Sequence, residues 1–128
     1  MTYTNIQMEQ MVAQLKPLLD RSGLIGYAAA KNTRILRDEI AEYIQAKDAA
    51  IMELGEPELD ADGNETGQVS LRFDSPRFAE YQERMAGIDT AESEPRIFRV
   101  QASEVMGQLT GQEMLELEWM MEFADADA

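Results

Sequence analysis

The stretch that decides the fold is "YAAAKNTRILRDEIAEYIQAKDAAIMEL", residues 27–54. Its alanines have high helix propensity, and Gly55 followed by Pro57 is typical of a helix end. Apolar residues recur every three or four positions, which is the period of an α-helix with one buried face: Ile35, Leu36, Ile40, Tyr43, Ile44, Ile51 and Leu54. The pattern predicts one helix of roughly 42 Å, with the other elements packed on it.

A shorter helix is expected before this stretch. Apolar residues again recur at helical spacing, Thr4 is a suitable N-cap and Gly23 is a suitable stop. Pro17 lacks the N–H group that would bond to the carbonyl of residue 13, so it must kink this helix or restart it. The first half of the chain is therefore expected to be helical.

The segment after the long helix predicts a β-hairpin. Residues 60–71 begin like a calcium-binding loop, but the sixth position is Glu65 instead of glycine and the twelfth is Leu71 instead of glutamate. The same segment contains a turn sequence, and residues 69–73 then alternate apolar and polar side chains as a strand does. We therefore reject calcium and expect a turn and a strand, with a second strand candidate at 94–100.

Two further helices are expected in the second half. One is short, follows Ser75 and ends at Gly87. The other opens with a capping box formed by Thr110 and Glu113 and continues to Phe123. The predicted fold class is mostly α (α+β): a long central helix with packed shorter helices and a small two-stranded β element.

We expect residues 1–128 to form a single domain with unevenly placed charge. The helical part, residues 1–55, is net neutral, because six bases and six acids lie in the first fifty residues. The formal net charge of -14 therefore comes from the remainder. Residues 56–123, which hold the hairpin, the short helix and the terminal helix, are strongly acidic, and residues 124–128 are expected to fray.

The composition excludes several classes of function. The chain has no cysteine and no histidine, so thiolate chemistry, disulfides and His-based triads are absent, and a zinc site is not expected. Carboxylate pairs such as Glu116 and Glu118 are not distinguished from the other acids. An acidic surface repels nucleic acid and anionic membranes. We expect no enzyme activity, no metal, no cofactor, no direct nucleic-acid partner and no membrane partner; the acidic half either provides solubility or docks on a basic protein.

One stretch stands out against this acidity, because residues 21–37 contain no acid and four bases. In it, a glycine-containing turn precedes the expected helix start, and helix N-termini bind anions well. Tyr27, Lys31 and Arg34 share one helix face, and Asn32 lies beside them with a donor and an acceptor. These four residues are our candidate site for a nucleotide or another small anion, with the base stacked on the tyrosine. The alternative is a solvated basic face that balances the acidic half, either within one chain or across a subunit contact.

The terminal helix is too apolar to be fully solvated. Trp119, Met120 and Phe123 are candidates for a partner-binding or self-association surface, since methionine adapts to many partners and exposed apolar patches usually mark interfaces. Core packing explains the same residues. We expect a homo-oligomer.

Four segments also resemble a broad group of small proteins encoded by phages and prophages of gut bacteria. They are "GYAAAKNTRIL" at 26–36, "LDADGNETG" at 59–67, "FRVQASEVMGQ" at 98–108 and "LTGQEMLELEWMMEF" at 109–123. The group shares a short first helix, a long helix with an aromatic residue and a Lys-Asn pair, and a similar C-terminal segment. The resemblance places Tyr27, Lys31 and Asn32 on the group's pattern, and it brings no settled activity with it.

The functional hypothesis that follows is a phage accessory protein that acts by binding and antagonises host defence. It would work in the cytoplasm of an infected or lysogenic bacterium, either by sequestering a nucleotide-type signal or by blocking a basic host protein through acidic mimicry. The alternative is a structural or assembly factor of the virion, such as a tail chaperone, that docks through its terminal helix.

Overall fold

The computed structural model describes residues 1–123, and it is 54% helical with small two-stranded sheets. This confirms the α+β fold class expected from the sequence. Contacts cluster in two compact units. The terminal unit comprises Met1–Ile40 and the chain from Glu92 onward, and the middle unit comprises Ala41–Ala91. The expected frayed tail, residues 124–128, lies outside the described residues.

The first part of the terminal unit contains β1 (Tyr3–Thr4), α1 (Asn5–Leu15), a 3₁₀ turn (Lys16–Leu18) and α2 (Gly23–Glu39). As predicted, the Thr4 hydroxyl caps α1 by accepting a hydrogen bond from the Gln7 N–H. Pro17 lies in the 3₁₀ turn, so it ends the first helix as its missing N–H requires. Gly23, which was expected to stop a helix, starts α2 with a φ of 78°.

The expected long helix is two helices. Ile40 leaves helical geometry with φ -100° and ψ 11°, and α3 (Ala41–Leu54) begins directly after it. Neither glycine nor proline marks the break. The Ile40 side chain is buried, so packing overrides a local sequence that favours a continuous helix.

The middle unit continues with the hairpin β2 (Glu56–Leu59) and β3 (Glu65–Ser70), and with α4 (Phe78–Met85). The two strands are antiparallel, with an irregularity in register between Pro57 and Leu59. The predicted turn is confirmed, because the Asp60 carboxylate accepts hydrogen bonds from two backbone N–H groups of the turn. Helix α4 packs on α3, where Arg84 forms a 2.6 Å ion pair with Glu53.

The C-terminal part of the terminal unit consists of short elements. They are β4 (Glu92–Ser93), β5 (Val100–Gln101), α5 (Ala102–Val105), α6 (Gly111–Glu116), a 3₁₀ turn (Glu118–Met120) and β6 (Met121–Glu122). β4 pairs antiparallel with β1, and β6 pairs parallel with β5. The Thr110–Glu113 capping box is confirmed. The helix that follows it ends at Glu116 instead of Phe123, because the backbone must become extended for Met121 to pair with Val100.

The core of the terminal unit lies between α1, α2 and the C-terminal segment. Ala28 and Ala29 of α2 are fully buried, and α1 packs against α2. The larger buried side chains are Met8, Met11, Leu15, Leu18, Ile25, Leu36, Ile40, Val100, Val105, Leu117, Met120 and Met121. Across residues 1–123, no helix combines the length and the apolar character that crossing a bilayer requires.

Candidate functional site

The candidate site lies on the solvent-facing side of α2. Tyr27 is 57% exposed, Arg34 is exposed and Lys31 is half-buried. Their spacing of four and three residues places them on one helix face, as the sequence predicted. Three of the four predicted residues therefore lie on one accessible surface.

A residue that the sequence analysis missed completes this surface. The ring of Phe98 meets Tyr27 edge to face, with 5.5 Å between the ring centroids. The Lys31 ammonium lies 4.9 Å from the Phe98 centroid and 5.7 Å from the Tyr27 centroid. Both distances are within the range of cation–π attraction. We call Tyr27, Lys31 and Phe98 the cation–aromatic cluster.

Asn32, the fourth predicted residue, is not available to a ligand. Its side chain is fully buried, and its amide bonds to the main chain of Phe98 and, through Nδ2, to the Met120 sulfur at 3.5 Å. Nδ2 donates to the Phe98 carbonyl at 2.9 Å, and Oδ1 accepts from the Phe98 N–H at 2.7 Å. Both functional ends of the amide are thus used, so the prediction of a binding role for Asn32 is wrong. The residue instead holds Phe98 beside Lys31.

Helix α2 begins at Gly23, earlier than the start at residue 27 that the sequence predicted, so its N-terminus lies away from the proposed anion site. Because α2 begins at Gly23, Lys31 lies eight residues further on, which is about 12 Å along the axis from the unpaired N–H groups. Gly26, in the glycine-containing turn noted in the sequence, lies close to the main chain of Arg21. A Cβ atom on Gly26 would lie 1.6 Å from the Arg21 carbonyl oxygen. The helix N-terminus therefore does not contribute to the cluster.

One base of the acid-free stretch is neutralised by a residue distant in sequence. Arg21 forms two hydrogen bonds to the Glu113 carboxylate, at 2.8 and 3.2 Å, and a third to the Gln108 carbonyl. The Thr110 N–H and the Arg21 guanidinium together hold the pKa of Glu113 below its usual value. In contrast, neither Lys31 nor Arg34 forms an ion pair with any carboxylate within residues 1–123. No carboxylate of residues 1–123 therefore neutralises the positive charge of the cation–aromatic cluster.

The predicted partner surface near the C-terminus is divided by the fold. Met120 is fully buried in the core, whereas Phe123 is 56% exposed. Trp119 is half-buried, and its indole N–H donates to the Gln14 side chain at 3.0 Å. The three residues therefore do not form one accessible face, because the helix that would have aligned them ends before they are reached.

Sequence patterns did not predict the contacts of Phe98 or the ion pair between Arg21 and Glu113. The partners in these contacts are 66 to 92 residues apart, beyond any helical or strand period. Comparison with known proteins adds no assignment: no protein-family model, no curated protein and no solved structure matches this chain.

Proposed function

We propose that this protein acts by binding, without a catalytic step, as an accessory protein encoded by a phage or prophage that antagonises the defence of its bacterial host. The resemblance of four segments to phage-encoded proteins supports the origin, which implies action in the host cytoplasm. The cation–aromatic cluster supports a binding role, because it offers an anion both a charge and a flat apolar surface.

The ligand that fits this surface is a nucleotide-type anion. A nucleobase can stack on the exposed Tyr27 ring, and base–aromatic stacking is worth about 1–3 kcal/mol per base. The phosphate can then meet Lys31 and Arg34, which lie on the same helix face. The observation that carries the proposal is the position of Lys31, half-buried between two rings and without a carboxylate partner in the described chain. A lysine that only aided solubility would not need to be held against two aromatic rings.

A thermal-shift experiment tests this function. The melting temperature is measured with cyclic di- and trinucleotides, ADP-ribose and mononucleotides, for the native protein and for Lys31→Glu. A ligand present at 100 times its dissociation constant adds about 2.7 kcal/mol, equivalent to an upward shift of several degrees. We expect a shift that Lys31→Glu abolishes.

Lys16→Glu is the matched control, because it makes the same charge change on an exposed residue of the 3₁₀ turn after α1. It should keep the ligand-induced shift. Absence of a shift with every nucleotide, or equal loss in both variants, would contradict sequestration at the cation–aromatic cluster.

A second candidate function is the blocking of a basic host protein by acidic mimicry. The β2–β3 hairpin supports it, because every residue from Glu56 to Gln68 is exposed and five of these residues are acidic.

The virion-assembly alternative has less support, since Met120, one of its proposed contact residues, is buried. Self-association remains part of the proposal, and light scattering of the purified protein measures it directly.

A further inference from the structure

The middle unit contains an open groove of about 760 Å³ beside its hairpin. The whole of β2, Glu56–Leu59, lines it. The remaining lining residues come from the end of β3 and the segment that follows it: Ser70, Arg72, Asp74, Ser75 and Pro76. This groove belongs to the middle unit alone, so it is distinct from the cation–aromatic cluster of the terminal unit.

The groove runs along the full length of a strand that has one unpaired edge. This groove touches four consecutive residues of β2. Within residues 1–123, β2 pairs only with β3, so its other edge has no strand beside it. An unpaired edge is a template for an additional strand.

The charge of the groove determines whether an acidic or a basic strand can bind there. Glu56, Glu58 and Asp74 line it, and the single base is Arg72, which forms a 3.7 Å ion pair with Asp74. The sequence has no lysine or arginine between Lys47 and Arg72. The groove is therefore negative overall, because Arg72 is offset by Asp74 and leaves Glu56 and Glu58 without a second base among the lining residues.

We propose that this groove binds an extended, basic segment of a partner protein, which adds to the free edge of β2 as a new strand. Main-chain hydrogen bonds along an edge give affinity in such complexes, and alternate side chains give specificity. Lysines or arginines on the added strand would meet Glu56 and Glu58.

A second copy of this chain does not fit the same edge. Its hairpin carries the same carboxylates, and like charges placed opposite each other on paired strands are destabilising. Pro57 also removes one main-chain donor from the edge, a feature that limits indiscriminate pairing. Charge complementarity therefore favours a basic partner over self-pairing. This inference deepens the second candidate function and is independent of nucleotide binding.

The test measures binding of three labelled peptides to the full chain by fluorescence anisotropy. One alternates lysine with valine, one alternates glutamate with valine, and one alternates lysine with proline, which keeps the charge but favours the polyproline II conformation over a β-strand. We expect the lysine–valine peptide to bind, and the other two to bind at least roughly tenfold more weakly.

Two variants locate the site. Glu56→Lys combined with Glu58→Lys reverses the groove charge and should weaken binding of the lysine–valine peptide roughly tenfold. Glu83→Lys makes the same kind of change on an exposed residue of α4, outside the groove, and should change binding less than about twofold. Circular dichroism confirms that each variant is folded.

The proposal is overturned if the lysine–valine peptide does not bind, if the lysine–proline peptide binds equally well, or if Glu83→Lys weakens binding as much as the groove variant. The first outcome shows that no basic strand docks. The second and third show that binding is attraction to the overall negative charge. None of these outcomes affects the nucleotide experiment, which tests binding to the cation–aromatic cluster of the terminal unit.

Discussion

Asn32 and Thr33 are adjacent buried polar residues of α2 with opposite hydrogen-bonding status. The Asn32 amide bonds to both main-chain groups of Phe98. The Thr33 hydroxyl, in contrast, has no hydrogen-bond partner among the described residues. Burial of a polar group is costly unless it is hydrogen-bonded, so the two side chains must contribute to stability with opposite sign.

Replacing each residue with an apolar one of similar shape should separate these effects. Asn32→Leu leaves the Phe98 N–H and carbonyl without their partner and should lower the free energy of unfolding by about 1–3 kcal/mol. Thr33→Val removes only an unsatisfied hydroxyl and should be neutral or stabilising. Urea titrations of the two variants and the native protein measure the difference. Equal destabilisation by both would show that the Asn32 hydrogen bonds do not stabilise the fold.

For individual residues, the sequence predicted correctly those positions that depend on local spacing along a helix. Tyr27, Lys31 and Arg34 share a face because residues three and four apart on a helix are neighbours. The role of Asn32 was not predictable, since its partner Phe98 lies 66 residues away and is recognised through its main chain. Because every residue type except proline has the same backbone groups, a contact between a side chain and a backbone cannot be recognised from the types of the two residues.

Two helix starts predicted from capping residues are confirmed, whereas the ends of two helices were not predicted. The caps at Thr4 and Thr110 require only residues within one turn, and both are present. The end of α2 at Ile40 and the end of α6 at Glu116 depend on burial and on strand pairing with distant residues. Helix propensity is too small to resist such tertiary contacts.

The start of α6 also carries a pH dependence. The pKa of Glu113 is lowered by hydrogen bonds from the Thr110 N–H and from Arg21, so the folded protein binds this proton less readily than the unfolded chain does. The resulting stabilisation is complete above the unfolded pKa and is lost as the pH falls through the folded pKa. We expect stability to decline with acidification from about pH 5 downward, and Glu113→Gln to reduce that decline.

Glutamine keeps the capping interaction while removing the charge, so the variant isolates the ionic contribution. Glu104→Gln, at an exposed carboxylate on α5, is the control and should keep the native pH profile. Urea unfolding at a series of pH values gives the comparison. If Glu113→Gln and native protein lose stability in parallel, the ion pair with Arg21 does not contribute to acid sensitivity.

For the whole molecule, excess negative charge is present in both units. Residues 41–91 contain 12 acids and four bases, and the rest of the chain contains 13 acids and seven bases. Such a net charge aids solubility and destabilises the compact state through self-repulsion. The composition indicated this directly, whereas the division into two units with a discontinuous chain could not be read from it.

Screening should therefore stabilise the protein. Raising the ionic strength from about 0.01 to about 0.15 M shortens the Debye length from about 30 to about 8 Å. We expect the melting temperature to rise by roughly 4 °C, equivalent to about 1 kcal/mol. The triple variant Glu56→Gln, Glu58→Gln and Glu65→Gln, which removes three exposed hairpin charges, should show a smaller rise. A melting temperature that falls with salt would show that attractive ion pairs outweigh the repulsion.

The contact between Gly26 and the Arg21 carbonyl limits how far this sequence can diverge. Any side chain at position 26 would collide with main chain, which cannot be changed by substitution elsewhere. Asn32 is constrained in the same way, because it hydrogen-bonds to the backbone of residue 98. These two bonds do not depend on which side chain residue 98 carries. Distant relatives would accordingly keep a glycine and an asparagine six residues apart while position 98 varies. We expect this two-residue signature to persist where overall identity is low, so that an alignment of such relatives can be anchored on it.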